Sequence, residues 1–176
     1  MNINESDKFI YAKGYIHLPV IIDLGKLPVT IIVKGNELQV KSSFHVSLIC
    51  VKNFENSKNR ILELFNEFKE HNPISFAGFS GEFRFAQRNA DNRKSLVAMC
   101  TVNNLNLFYQ LLRDELLLDI DNQATHVSLY TVNLDEAIGI NNKNDLDQMT
   151  ELIASEIVDE LRLLLPTVTN CAKRGL

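Results

Sequence analysis

The chain has 176 residues, 45% of them hydrophobic, and a formal net charge of −4. This length predicts one domain, and the ordinary composition excludes collagen-like, low-complexity and disordered chains. A mildly acidic chain is also a poor candidate for wrapping long nucleic acid, where neutralisation of phosphates dominates affinity. The three cysteines are widely spaced and form no zinc-binding pattern, so we expect a reducing, cytoplasmic compartment.

The sequence predicts no N-terminal signal peptide and no membrane-spanning segment. Residues 1–8 are polar and lack the apolar centre of a signal peptide. No apolar run approaches the ~18 residues that span a bilayer. Membrane partners are therefore not expected.

The first predicted elements are strands. Residues 29–34 and 37–41 are short β-rich runs, and Gly35-Asn36 between them predicts a two-residue hairpin turn. Residues 44–51 form the next predicted strand.

A helix and a second hairpin follow. Capping residues at 53–57 precede apolar residues at helical spacing, and this helix should end before Pro73. Residues 74–79 and 82–87 are predicted to pair as a hairpin around Ser80-Gly81.

The second half repeats this alternation. We predict a strand at 96–102, a helix that begins after Asn103-Asn104, and a strand at 125–132. A last helix is predicted over 145–165, ended by Pro166. This order indicates an α+β fold with mainly antiparallel sheet. A single domain is expected over residues 28–165, with an N-terminal extension at 1–27 packed on it and a disordered tail at 166–176.

One tetrapeptide occurs twice. His45-Val46-Ser47-Leu48 and His126-Val127-Ser128-Leu129 are identical in sequence and lie half a chain apart. Each copy falls in a predicted strand that a predicted helix follows. The repeat therefore suggests two duplicated lobes, each with one copy.

Strand geometry gives each copy one polar face. Because side chains alternate with period two, His45 and Ser47 share a face opposite Val46 and Leu48. In the second copy His126, Ser128 and Tyr130 share the corresponding face. Two such faces could line one cleft, with imidazoles and hydroxyls around a common ligand.

These residue types suit chemistry at a phosphodiester. Histidine has an ordinary pKa near 6.5, so one imidazole can serve as base while its partner serves as acid. Serine hydroxyls can donate hydrogen bonds to the phosphate oxygens. Such a mechanism requires no metal and no cofactor.

The paired motifs resemble those of the two-histidine phosphoesterase superfamily, over about residues 28–165. That resemblance implies a duplicated, bilobal α+β domain whose antiparallel sheets line a central cleft, with helices outside. It also implies metal-independent hydrolysis of a 2′,3′-cyclic phosphate, or a related small phosphodiester, at an RNA end or on a nucleotide. His45 and His126 would be the acid–base pair, in either order, and Ser47 and Ser128 the phosphate ligands. An alternative is a nucleotide-binding module that uses the same cleft without turnover.

Tyr130 and Arg88 are further candidates for the same site. Tyr130 could stack on a base or simply pack across strands, and Arg88 belongs to a basic segment, 84–94, that could meet substrate phosphates or be a solvated loop. His17 is interpreted as a structural or surface histidine, and His71 as a residue at a helix C-terminus. We expect a monomer that binds one nucleotide or RNA end, and no long duplex. A structural protein in which the repeat is accidental remains a further alternative.

Overall fold

The computed structural model describes residues 9–134 and 136–167. Within them nine strands form one antiparallel sheet and four α-helices accompany it, which confirms the α+β class. The strands are β1 Ile10–Ala12, β2 Tyr15–Val20, β3 Thr30–Val33, β4 Asn36–Val40, β5 Phe44–Cys50, β6 Ser75–Arg88, β7 Arg93–Asn103, β8 His126–Thr131 and β9 Thr150–Leu152. The helices are α1 Lys58–His71, α2 Leu105–Leu116, α3 Lys143–Met149 and α4 Glu156–Leu164.

The order of strands across the sheet is β1-β2-β5-β8-β7-β6-β9. The β3–β4 hairpin lies off this path and joins it where β4 pairs with β8. The predicted hairpin is therefore confirmed, with its two-residue turn at Lys34-Gly35, one position earlier than expected. Both turn residues have positive φ, as a tight hairpin turn of this length requires.

The N-terminal segment contributes directly to the sheet. Strand β2 pairs with β5 along six residue pairs, and β1 pairs with β2 at the sheet edge. Ile16 and Leu18 of β2 are buried in the core. Residues 1–8, the start of the expected extension, lie outside the described residues.

The second predicted hairpin is wrong. Residues 75–88 form one long strand, β6, which pairs with β7 on both sides of a break between Phe79 and Phe83. Gly81, at φ +84°, lets the chain bulge outward instead of reversing. Arg162 of α4 donates to the Gly81 carbonyl at 2.7 Å, which fixes this bulge.

The predicted helix over 145–165 is also wrong as a single element. It is divided into α3 and α4 by β9, which pairs with β6. Arg84 of β6 donates to the Thr150 hydroxyl at 2.6 Å. The free edge of β6 offers hydrogen bonds that override the local helical pattern, a common outcome for weak propensities.

Helices α1 and α2 cover the apolar face of the sheet. Phe65 of α1 meets Phe108 of α2 edge to face, with ring centroids 5.2 Å apart. Tyr109 of α2 donates its hydroxyl to the Leu48 carbonyl of β5 at 2.9 Å. The opposite face of the sheet is thereby left for the cavity.

Two findings concern the chain ends and membranes. Of the expected tail, Pro166 accepts a hydrogen bond from the Phe79 amide at 3.0 Å, and residues 168–176 lie outside the described residues. None of the described helices combines the length and the apolar character needed to cross a membrane.

Candidate functional site

The two motif strands are neighbours in the sheet. Strands β5 and β8 run antiparallel with Val46 opposite Val127, and both valines are fully buried. Counting outward from this pair, His45 stands beside Ser128 and Ser47 stands beside His126. A local twofold axis through the two valines therefore exchanges the histidines with each other and the serines with each other.

All four motif side chains reach one cavity. His45, Ser47, His126 and Ser128 line a cavity of about 760 Å³ on the face of the sheet away from α1 and α2. The two histidines are diagonal neighbours across the strand pair, a relation that separates Cα atoms by roughly 7–8 Å, and Cβ atoms by somewhat less, in regular sheet. Side chains at such positions can approach a single phosphate group from two sides.

Each motif strand carries a β-bulge at the same motif position. Strand β2 pairs with Ser47 and then with Ile49, so Leu48 is the extra residue. Strand β7 pairs with Ser128 and then with Tyr130, so Leu129 is the extra residue. Both bulges fall on the leucine that ends the tetrapeptide, and they interrupt the alternation directly after each serine.

This second bulge decides the position of Tyr130. Simple alternation puts Tyr130 on the face of His126 and Ser128, but the extra residue at Leu129 returns it to the core. Tyr130 is fully buried, its hydroxyl donates to the Pro28 carbonyl at 3.1 Å, and it is not among the residues that line the cavity. The structure therefore does not bring Tyr130 to the site, whereas Arg88 does line the cavity.

His126 is held in one orientation. Its Nδ1 lies 2.7 Å from the Ala124 carbonyl oxygen, which can only accept. In the neutral ring Nδ1 therefore carries the hydrogen and Nε2 keeps its lone pair. Burial lowers the pKa of His126, and the same carbonyl opposes this effect by favouring the protonated ring.

His45 is surrounded by groups that disfavour its positive charge. Burial, followed by the neighbouring His17, Lys41 and His126, lowers the pKa of His45 from 6.5 to about 4. At neutral pH His45 is therefore an uncharged imidazole, which is the form that accepts a proton. An anion in the cavity would oppose these effects and favour protonation.

A third histidine belongs to the cavity. Nδ1 of His17 lies 3.2 Å from the Ser47 hydroxyl oxygen, and its ring centroid is 4.2 Å from that of His45. Sequence reasoning missed this residue because β2 carries no copy of the motif. A signal was present, since Ile16 and Leu18 flank His17 with the same apolar alternation that marks the motif strands.

The cavity is positively charged. Among the described residues that line it, Glu136 is the one carboxylate, against the five cationic side chains of Lys13, Lys41, Lys52, Arg88 and Arg93. Arg88 and Arg93 both pair with Asp91, and Arg93 also donates to the Ala137 carbonyl at 3.3 Å. The fixed charges thus favour an anionic ligand.

One irregular segment closes the cavity wall beyond β8. In residues 136–141, Ile138 and Ile140 are buried against Ala86 and Val97. Gln123 donates to the Ile140 carbonyl at 2.6 Å and holds this segment in place.

Within the described part of the chain, no group of three or more histidine, cysteine or acidic side chains is arranged to hold a metal ion.

Similarity to known proteins adds nothing to this geometry. No protein-family model, no curated protein and no solved structure matches the chain. Any functional conclusion therefore depends on the cavity residues and the strands that carry them.

Proposed function

We propose that the protein is a metal-independent phosphodiesterase of the two-histidine type. Its substrate would be a 2′,3′-cyclic phosphate or a related small phosphodiester of an RNA end or a nucleotide. The observation that carries this proposal is the pairing of Val46 with Val127, because this register brings His45, Ser47, His126 and Ser128 to one cavity.

The proposed reaction uses the two imidazoles in opposite protonation states. One neutral histidine takes a proton from the water that attacks phosphorus, while the other, as imidazolium, protonates the departing ribose oxygen. One P–O bond forms and one breaks, which leaves an acyclic phosphate monoester. Serine hydroxyls and nearby cations would stabilise charge on the non-bridging oxygens.

We further propose that the fold arose as two duplicated lobes. The register supports this, because β2 meets β5 as β7 meets β8: Leu18 and Ala98 face the two motif valines, and Pro19 and Met99 face the two motif histidines. The matching bulges at Leu48 and Leu129 extend the correspondence.

A reducing compartment such as the cytoplasm also fits, since the described cysteines, Cys50 and Cys100, are both free.

Hydrolysis of a panel of cyclic and linear phosphodiesters, with a chelator present, tests the activity. We expect turnover of at least one 2′,3′-cyclic nucleotide, and a loss of about 10²–10⁴-fold in kcat for His45→Ala and for His126→Ala. His71→Ala, at the end of α1 and away from the cavity lining, is the matched control and should retain wild-type rates. Wild-type turnover by either cavity variant would rule out the paired mechanism.

A nucleotide-binding module is the second candidate. It is favoured by the lowered pKa of both motif histidines, because neither ring then holds the acid's proton in the unliganded cavity. Calorimetry with AMP, run beside the same panel, separates the two. Tight binding without any product would support the module and contradict the phosphodiesterase.

A further inference from the structure

The two motif serines have different neighbours, although the local twofold axis makes their backbones equivalent. Ser47 faces His17 on β2, and Ser128 faces Val97 on β7. A valine side chain cannot form a hydrogen bond, whereas the Ser47 hydroxyl lies 3.2 Å from Nδ1 of His17. The two serines therefore differ in whether the neighbouring strand offers their hydroxyl a hydrogen-bond partner.

We propose that His17 is a positioning residue that fixes the direction of the Ser47 hydroxyl toward the ligand. This inference deepens the proposed function, and it concerns the same cavity. His17 does not itself need to contact the reacting atoms. It acts by holding Ser47 in the one rotamer that its Nδ1 can reach.

Several contacts fix His17 itself. Its ring stacks on Tyr15 with a centroid separation of 5.7 Å and an angle of 16°, and it meets the His45 ring at 4.2 Å. The Tyr15 ring is in turn contacted by the Lys52 ammonium group, 4.8 Å from its centroid. A ring held on these sides presents Nδ1 at a defined place, which is what a positioning residue requires.

This arrangement predicts unequal roles for the serines. In this role Nδ1 of His17 donates to the Ser47 oxygen, so the single hydrogen of Ser47 is left to donate to a phosphate oxygen. Ser128 has no such constraint from Val97 and can rotate its hydroxyl to suit the ligand. Removing His17 should therefore weaken the action of Ser47 and leave that of Ser128 unchanged.

A double-mutant cycle tests the coupling. Inorganic phosphate affinity and kcat/KM on a 2′,3′-cyclic nucleotide are measured for wild type, His17→Ala, Ser47→Ala and the double variant. We expect His17→Ala to cost ~10-fold, as for loss of one hydrogen-bond partner, and to cost nothing further once Ser47 is alanine. The same cycle with Ser128→Ala should be additive. Equal losses with and without Ser47 would overturn the proposal.

Two conservative variants distinguish positioning from simple packing. An asparagine amide reaches about as far as Nδ1, and a glutamine amide about as far as Nε2. His17→Asn should therefore restore most of the lost affinity and His17→Gln should not. Equal behaviour of the two variants would contradict a role that depends on Nδ1.

One measurement needs neither ligand nor turnover, so it separates this inference from the proposed activity. The ¹⁵N chemical shift of His17 Nδ1 reports its hydrogen bond directly. Ser47→Ala should shift this resonance and leave that of His71, at the end of α1 and away from the cavity lining, unchanged. An unmoved His17 resonance would refute the contact even if the protein proves to be a phosphodiesterase.

Discussion

Burial sets the protonation state of the three cavity histidines. The pKa values of His17, His45 and His126 are all lowered from 6.5, in each case first by burial. The charged form is the one that burial disfavours, because the imidazolium loses its hydration. Each ring is consequently available as a proton acceptor at neutral pH, and a ligand anion is needed to make any of them an acid.

The same shifts make stability depend on pH. Between pH 6.5 and about 4, His45 binds a proton in the unfolded chain but not in the folded one. The free energy of unfolding should therefore fall as pH is lowered through this window, by on the order of 1–3 kcal/mol for His45 alone. Urea denaturation at pH 7, 6 and 5 measures how the free energy of unfolding depends on pH. This dependence should be weaker for His45→Gln than for the wild type. Equal slopes for the two proteins would contradict the shift.

At the scale of elements, turns and bulges control which side chains reach the cavity. Bulges at Leu48 and Leu129 end the polar alternation after each serine, and the turn between β1 and β2 brings Lys13 to the cavity edge. In that turn Gly14 has a φ of +82° and passes close to Lys52. A β-carbon at Gly14 would stand 2.7 Å from the Lys52 Cβ atom.

Two glycine substitutions separate backbone cost from crowding. Gly14→Ala should lower the free energy of unfolding by about 2–4 kcal/mol, since it combines a positive φ with a steric clash. Gly35→Ala has a similar φ of +72° but meets nothing within 4 Å, so only about 1 kcal/mol is expected. Thermal unfolding of both variants provides the comparison. Equal destabilisation would show that the contact with Lys52 is not restrictive.

The elements whose signals are local could be predicted from the sequence. The β3–β4 hairpin and both motif strands follow from turn residues and alternation. Strand β9 could not be predicted in this way, because Thr150–Leu152 becomes a strand only by pairing with the edge of the distant strand β6. Gly81 likewise suits a turn or a bulge equally well, and only pairing with β7 decides between them.

The candidate site was foreseen to a similar degree. His45, Ser47, His126, Ser128 and Arg88 do line the cavity, because an identical tetrapeptide in two strands is visible in sequence. The bulge at Leu129 turns Tyr130 away from the cavity. This could not be predicted, because a bulge leaves no mark in the pattern of residues. His17 was missed because its partnership with Ser47 depends on strands 30 residues apart.

At the scale of the whole molecule, charge is unevenly distributed. The chain carries a net charge of −4, yet the residues that line the cavity include five cations and Glu136. The sequence suggested a phosphate held by neutral hydroxyls and imidazoles, and the structure adds this basic surround. Acidic residues elsewhere should repel long polyanions while the cavity attracts a small one.

Salt should therefore weaken binding. Raising the salt concentration from 50 to 500 mM should increase KM for a cyclic nucleotide several-fold, because cavity cations are screened. Arg88→Gln should raise KM and reduce this dependence, whereas Arg60→Gln, which removes a cation paired with Glu63 and Glu67 on α1, should change neither. Steady-state kinetics over the salt series measures both effects. A KM independent of salt would count against electrostatic attraction.

The place of β2 has a practical consequence for anyone who shortens this protein. A domain boundary drawn at residue 28 appears reasonable from the motifs, but it would strip β5 of its neighbour along six residue pairs. The uncovered amide and carbonyl groups would then offer a template for strands of other molecules. Truncation at residue 28 would thus remove His17 and also turn the interior strand β5 into an exposed sheet edge. We expect the truncated protein to self-associate.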